Sequence, residues 1–306
     1  MGPETADDAG AVLIGDGVAM IQTVDFFPPV VDDPADYGRI VAANSLSDVY
    51  AMGAKPLAVM NVVGWPGKML GMDILAAVLK GSGEKVTEAG AILLGGHTMD
   101  NSQVLFGLSV TGLLDPARIV RNNTARPGEV LVLTKPLGSG ILTTAAKGKA
   151  LGSELLERLV QVMCRLNDKA SETMVAMEAG AGTDVTGFGL MGHLYEVASG
   201  SSVTFEVDAA AVPYLEEARH FAAQGFFPGG SAKNRTYVED HFEVAGQVDD
   251  LMLKVLFDAQ TSGGLLFTVA PEKTDETLSR LHDGGDTRAR AIGRSLPFDG
   301  IHIRIR

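Results

Sequence analysis

The segment Asp36-Tyr-Gly-Arg-Ile-Val-Ala-Ala-Asn44-Ser-Leu-Ser-Asp48-Val-Tyr-Ala-Met-Gly53-Ala-Lys-Pro56 decides how this chain is read. Its spacing predicts one helix, ended by Gly53 and barred from continuing by Pro56. Ala42, Leu46, Val49 and Tyr50 fall on one side of it, and Asn44, Ser47, Asp48 and Ala51 on the other. The second face is built of small residues around one acid, with no Lys or Arg a turn away to pair it. A solvated helix face carries long charged side chains. Small residues beside a lone carboxylate predict close approach by something else.

Outward from this helix, residues 11–14 and 18–24 read as a β-hairpin around Gly15-Asp16-Gly17. Residues 57–63 form a continuous apolar run, expected to be a buried strand, and 72–89 show helical periodicity. A short strand at 91–94 is expected to end in a Gly95-Gly96-His97-Thr98 turn, with another strand at 104–113. The polar stretch 114–126, with Pro116 and paired Asn, is the linker candidate. Beyond it, strands are expected at 129–134, 203–207 and 265–269, with short ones near 291–293 and 301–305. Helices are expected from Ile141, through a long region at 153–180, and up to Ala198. The stretches 221–231 and 234–237 read as irregular. This pattern predicts an α/β N-terminal domain (1–114), a linker (115–127) and an α+β C-terminal domain (128–306), with mixed sheets covered by helices.

At 306 residues with 46% hydrophobic content, 6% aromatic and 37 Gly, the chain can bury two ordinary cores. A formal charge of −13 argues against a nucleic-acid groove or an anionic-membrane surface, and implies that an anionic substrate arrives with cations. The single cysteine, Cys164, excludes an intramolecular disulfide framework. It lies in a helical pattern where a buried small side chain is expected. With no long apolar run and no signal-like leader, the chain reads as cytoplasmic.

Asp8, Asp25, Asp48, Asp100 and Asp184 all stand beside strand ends or glycine turns. Each alone suits a turn or a helix cap. Together they suggest a hard-cation site, because gathered carboxylates repel one another until a proton or a metal intervenes. Mg²⁺ takes one or two carboxylates plus phosphate oxygens and water. Gly95-Gly96-His97-Thr98 offers bare backbone N–H groups and a hydroxyl for phosphate. Gly138-Ser-Gly-Ile-Leu-Thr lacks the third glycine and the distal acid of a dinucleotide fingerprint, and no Walker A sequence is present.

Thr23-Val-Asp25-Phe-Phe, Asn44-Ser-Leu-Ser-Asp48, Gly64-Trp-Pro and Gly95-Gly-His-Thr98 together resemble selenophosphate synthetase (selenide, water dikinase). Leu133-Thr-Lys-Pro-Leu-Gly-Ser-Gly140, Asp184-Val-Thr-Gly-Phe-Gly-Leu-Met-Gly-His193, Pro228-Gly-Gly230 and Gln260-Thr-Ser-Gly-Gly-Leu extend the resemblance in order over nearly the whole chain. The Asn-Ser-Leu-Ser-Asp element is shared with other PurM-like ATP-using enzymes.

The resemblance implies a two-domain PurM-like (AIR synthase-like) fold, homodimeric through the N-terminal domain. It implies ATP-dependent phosphorylation of selenide, with selenophosphate, AMP and orthophosphate as products. ATP and Mg²⁺ are the implied cofactors, with a monovalent cation such as K⁺ beside them. It places Asp8, Asp48 and Asp184 as Mg²⁺ ligands. Thr5, Ala6, Asp7, Asp25, Asp48, Gly96, His97 and Thr98 become nucleotide-site residues, with Asn44 and Asp100 as neighbours. Family members carry a Gly-rich leader with a reactive Cys or selenocysteine and a Lys ahead of the Asp7–Ala9 match. Only six residues precede Asp7 here, and neither residue is among them. No nucleophile is therefore assigned, and the chain is expected to bind Mg²⁺–nucleotide while making little selenophosphate. Two other readings compete: a thiamine-phosphate kinase-like or hydrogenase-maturation ATPase of the same superfamily, and a non-catalytic ATP–Mg²⁺ binding protein.

Overall fold

The computed structural model describes residues 1–2 and 7–306. The N-terminal half is a five-stranded sheet: β1 (Gly10–Gly15), β2 (Val18–Phe27), β3 (Lys55–Trp65), β4 (Ile92–Asp100) and β5 (Leu105–Leu114), in the order β1-β2-β5-β3-β4. Its pairs are antiparallel except β3 with β4, which are parallel. Parallel neighbours need a crossover, and the helix α2 (Met72–Glu88) supplies it.

The decisive helix, α1, runs from Pro34 to Ala51. Asp33 caps it by accepting from the Asp36 N–H, and Pro34 costs nothing in the first turn, where its missing N–H is not needed. Gly53, with φ of +76°, follows its end. Helices α1 and α2 touch backbone to backbone. A Cβ on Gly38 would lie 2.0 Å from the Val78 carbonyl oxygen, and one on Gly81 would lie 2.0 Å from that of Ala35.

The C-terminal half is a seven-stranded sheet: β6 (Val130–Leu133), β7 (Gly182–Asp184), β8 (Val203–Val207), β9 (Phe242–Val244), β10 (Leu265–Val269), β11 (Arg290–Pro297) and β12 (Ile303–Ile305). The order is β7-β10-β6-β11-β8-β12-β9. Eight helices accompany it among the described residues: α3 (Ser139–Lys147), α4 (Ser153–Cys164), α5 (Asp168–Ala176), α6 (Gly189–Ser201), α7 (Glu216–Ala223), α8 (Gly229–Tyr237), α9 (Asp250–Leu256) and α10 (Thr274–Asp283). Mixed sheets with helices, in both halves, is the architecture expected.

Helix α1 is buried on nearly every side because both halves use it. Ile40, Leu46 and Val49 share one apolar cluster with Leu131, Leu133 and Val185 of the C-terminal half. Asn167 donates to Ser47, and the Ser171 hydroxyl donates to the Tyr50 carbonyl. The close approach predicted for the small-residue face is made by the C-terminal half of the same chain.

Four local expectations are corrected. Residues 57–63 are half-exposed, with Leu57 and Met60 both near 46–47% accessible, because helices cover only one face of the first sheet. Gly95-Gly96-His97-Thr98 is no turn: it lies inside β4, an edge strand, with a register shift beside Gly95. The region 153–180 breaks at Arg165–Asn167, where the Arg165 carbonyl accepts from Lys135 and the Asn167 side chain is drawn to Ser47. The stretches read as irregular hold α8, which starts at Gly229 directly after Pro228, and the end of α7. The linker candidate also lies against the body of the protein: the Val120 N–H donates to the Met52 carbonyl, and the Gly182 N–H to that of Arg121.

Candidate functional site

Four of the five singled-out acids come together where α1 meets the second sheet. Asp25 is on β2, Asp48 is in the last turns of α1, Asp8 lies two residues before β1, and Asp184 ends β7. One oxygen of Asp8 accepts from the Thr183 hydroxyl at 2.6 Å, and one of Asp48 from that of Thr23 at 2.5 Å. Asn44 donates to Asp25. Asp184 keeps one oxygen buried without any partner.

The electrostatics follow from burial and crowding. Burial, reinforced by Asp184, pushes the Asp8 carboxyl up to about 8. Asp48 is raised well above the usual range by burial and then by Asp184, with Asp8 and Asp25 adding to it. Burial and Asp184 raise Asp25 as well. Asp184 is raised by burial against the pull of His193, Ser47 and Lys135. Such a cluster holds protons or cations; it cannot hold four bare charges. Among the described residues no three acids, histidines or cysteines close around a single ion. That suits Mg²⁺, which keeps water and takes phosphate oxygens alongside one or two carboxylates.

The chain is similar to selenide, water dikinases along its whole length. It is 46% identical over 306 residues to that of Caldanaerobacter subterraneus subsp. tengcongensis, covering all of this chain and 88% of the relative. The Clostridioides difficile enzyme is 43% identical over 305 residues, covering 100% and 87%. The chain belongs to the selenide, water dikinase family.

The model of the AIR synthase related protein N-terminal domain matches residues 6–114, and that of the C-terminal domain residues 126–305. Solved structures agree on the fold. Thiamine monophosphate kinase from Aquifex aeolicus superposes with a TM-score of 0.71 at 17% identity, over 97% of this chain and 90% of that one. Hydrogenase maturation protein HypE in complex with ATP gives 0.69 at 20%, over 96% and 82%. The dikinases' much higher identity separates this chain from those two activities.

Within this dikinase the other expected site residues are spread further. Asp7 approaches the linker, accepting from the Asn122 N–H at 3.0 Å, whereas Thr5 and Ala6 lie outside the described residues. Asp25, Leu108, Asn61 and Gly96 form one row across four strands. Three interstrand spacings thus separate Gly96 from Asp25, roughly 14 Å. A Cβ on Gly96 would meet the Asn61 carbonyl oxygen at 2.2 Å, so only glycine fits. His97, Thr98 and Asp100 sit on the exposed edge strand, away from the acids.

Sequence reasoning missed His193 and Lys135 as members of this site. The His193 ring accepts from the Thr186 N–H through Nε2 and turns Nδ1 to Glu196 at 3.3 Å. Burial opposes its protonation, and Glu196, Asp184 and Asp8 outweigh burial and raise it. The clue was its place one helical turn into the segment after Asp184. Lys135 is buried and lies within electrostatic reach of Asp184. Cys164 is half-buried at the end of α4, and burial pushes its thiol up to about 11, consistent with an inert packing residue.

Proposed function

We propose that this selenide, water dikinase binds ATP through Mg²⁺ held by Asp8, Asp48 and Asp184. The convergence of four mutually repelling carboxylates from both halves, Asp184 buried and the other three half-buried, carries this reading. Asp25, steadied by Asn44, lies beside the metal ligands, and Gly96, His97 and Thr98 receive the nucleotide further along the same sheet. Asp7, with Thr5 and Ala6, completes that site. The reaction consumes ATP, selenide and water, and yields selenophosphate, AMP and orthophosphate. Mg²⁺ held by Asp8, Asp48 and Asp184 would supply neutralisation of the phosphate charge. The chain's own residues do the positioning. The acids from both halves fix the polyphosphate's line, and the threonines at Asp8 and Asp48 fix the carboxylates. His193 balances the charge of Asp184.

Calorimetry with ADP, with and without Mg²⁺, tests the binding, since a −13 chain should repel the bare polyphosphate. Equal affinity in EDTA would refute it. Selenide-dependent AMP formation tests the reaction, and ADP as the only nucleotide product would return the chain to the kinase-like readings. The same reading includes a monovalent cation such as K⁺, tested by stimulation with KCl over NaCl.

The reading also includes a homodimer formed through the N-terminal half, and the division into domains at 115–127. The face of the first sheet not covered by helices exposes Val24, Phe26, Leu57 and Met60, and the edge strand β4 exposes Leu94 and Met99. A contiguous apolar surface of this kind supports pairing. No helix among the described residues is long and apolar enough to cross a membrane. A cytoplasmic location fits that and remains part of the proposal.

A further inference from the structure

The loop Gln260–Gly264, which joins α9 to β10, touches the polar face of α1 at two places. The Ser262 N–H donates to Asn44 Oδ1 at 2.8 Å, and Asn44 Nδ2 donates to Asp25. One residue on, Asn167 Nδ2 donates to both the Gly263 carbonyl and the Ser47 hydroxyl, each at 2.9 Å. The loop is also tied to the backbone that follows Asp184: the Val185 N–H donates to the Gly264 carbonyl, and the Gln260 N–H to that of Thr186. From below, Lys135 Nζ donates to the Ser262 carbonyl at 3.1 Å and to the Arg165 carbonyl at 2.6 Å. Ser262 is held at φ of +50°, a left-handed backbone that a non-glycine residue adopts only when its surroundings over-determine it. The amide of Asn44 has one possible orientation, because a main-chain N–H can only donate and a carboxylate can only accept.

We infer that Lys135 and Asn44 are positioning residues of one relay, Lys135 to Ser262 to Asn44 to Asp25, through which the C-terminal half sets the Asp25 carboxylate against Asp184. Neither residue need touch the nucleotide. The relay explains why a helix face of small polar residues stands at the junction, and why the buried Lys135 ammonium ends on two carbonyl oxygens. The inference rests on the proposed Mg²⁺–nucleotide site.

The test is a double-mutant cycle with Asn44→Leu and Lys135→Met, read as Mg²⁺-dependent ADP affinity by calorimetry and as melting temperature without nucleotide. Asn44→Ser replaces Asn44→Leu should the latter fail to fold. Partners that orient metal ligands are worth about 10–100-fold in affinity; Asp25 stands beside the ligands rather than among them, so each single variant should weaken Mg²⁺–ADP binding by about tenfold, the low end of that range. The double variant should be scarcely weaker than either single one, because two cuts in one relay are not independent. Weak binding in EDTA should be unchanged. Additive losses, or wild-type affinity in either variant, would overturn the relay while leaving the metal site standing. Absence of Mg²⁺-dependent binding in the unaltered protein would overturn the site itself and the relay with it.

Discussion

At the scale of single residues, the acid cluster trades stability for ligand binding. Asp48→Asn or Asp184→Asn removes one repelling charge and one ligand together. Each variant should bind Mg²⁺–ADP at least about tenfold more weakly and melt no lower than the parent without ligand. Calorimetry beside a melting curve checks both halves, and a lowered melting temperature with unchanged affinity would make the acids structural. The pH dependence has a definite sign. An unfolded aspartate titrates near 3.9. In the folded chain burial holds the Asp8 carboxyl up to about 8 and that of Asp258, which accepts from the first amides of α3, up to about 7. Between those limits the native state binds more protons than the unfolded one, so stability falls as pH rises from about 4 to 8. Melting of the nucleotide-free protein at pH 5.5 and 8 should show the higher value at pH 5.5. Mg²⁺ with ADP should narrow the gap by replacing protons at the acid cluster.

At the scale of elements, α1 is central because it is thin. Gly38 and Gly81 let α1 and α2 meet at carbonyl distance, and a backbone carbonyl cannot turn away from an added methyl. Gly38→Ala and Gly81→Ala should each cost about 1–3 kcal/mol, measured by denaturant unfolding. A neutral result would mean that the helices slide apart freely. The small-residue face of α1 has the same logic on its other side. Asn44, Ser47 and Tyr50 each make a bond to the C-terminal half, so side chains longer than these would hold the halves apart.

At the scale of the molecule, the uncovered face of the first sheet presents exposed apolar side chains from neighbouring strands. Burial of Val24, Phe26 and Met60 against a second copy would remove about 25 cal/mol of cost per Å² of apolar area. Met60→Glu or Phe26→Glu should convert a dimer to monomers in light scattering, with the monomer's fold unchanged by circular dichroism. A concentration-independent monomer mass for the unaltered chain would contradict the pairing.

Much of this was legible in the residues alone. The period of α1 and its Gly53 stop are local signals, carried by side chains within a turn of each other, whereas its start at Asp33 and Pro34 went unread. The ordered motifs pointed to the right family, because each demands particular residue types at short range. What residues near in sequence could not tell was what lay opposite them. Whether 57–63 was buried on both faces depended on where α2 crossed, and whether Gly95–Thr98 turned or ran straight depended on pairing with β3. The break at Arg165–Asn167 depended on Lys135 and Ser47, each more than two dozen residues away. Asp48 without a helical partner was visible in the sequence as an anomaly. Only the folded chain brought Asp8, Asp25 and Asp184 to it, because repulsion between carboxylates acts through space and leaves no mark on spacing along the chain.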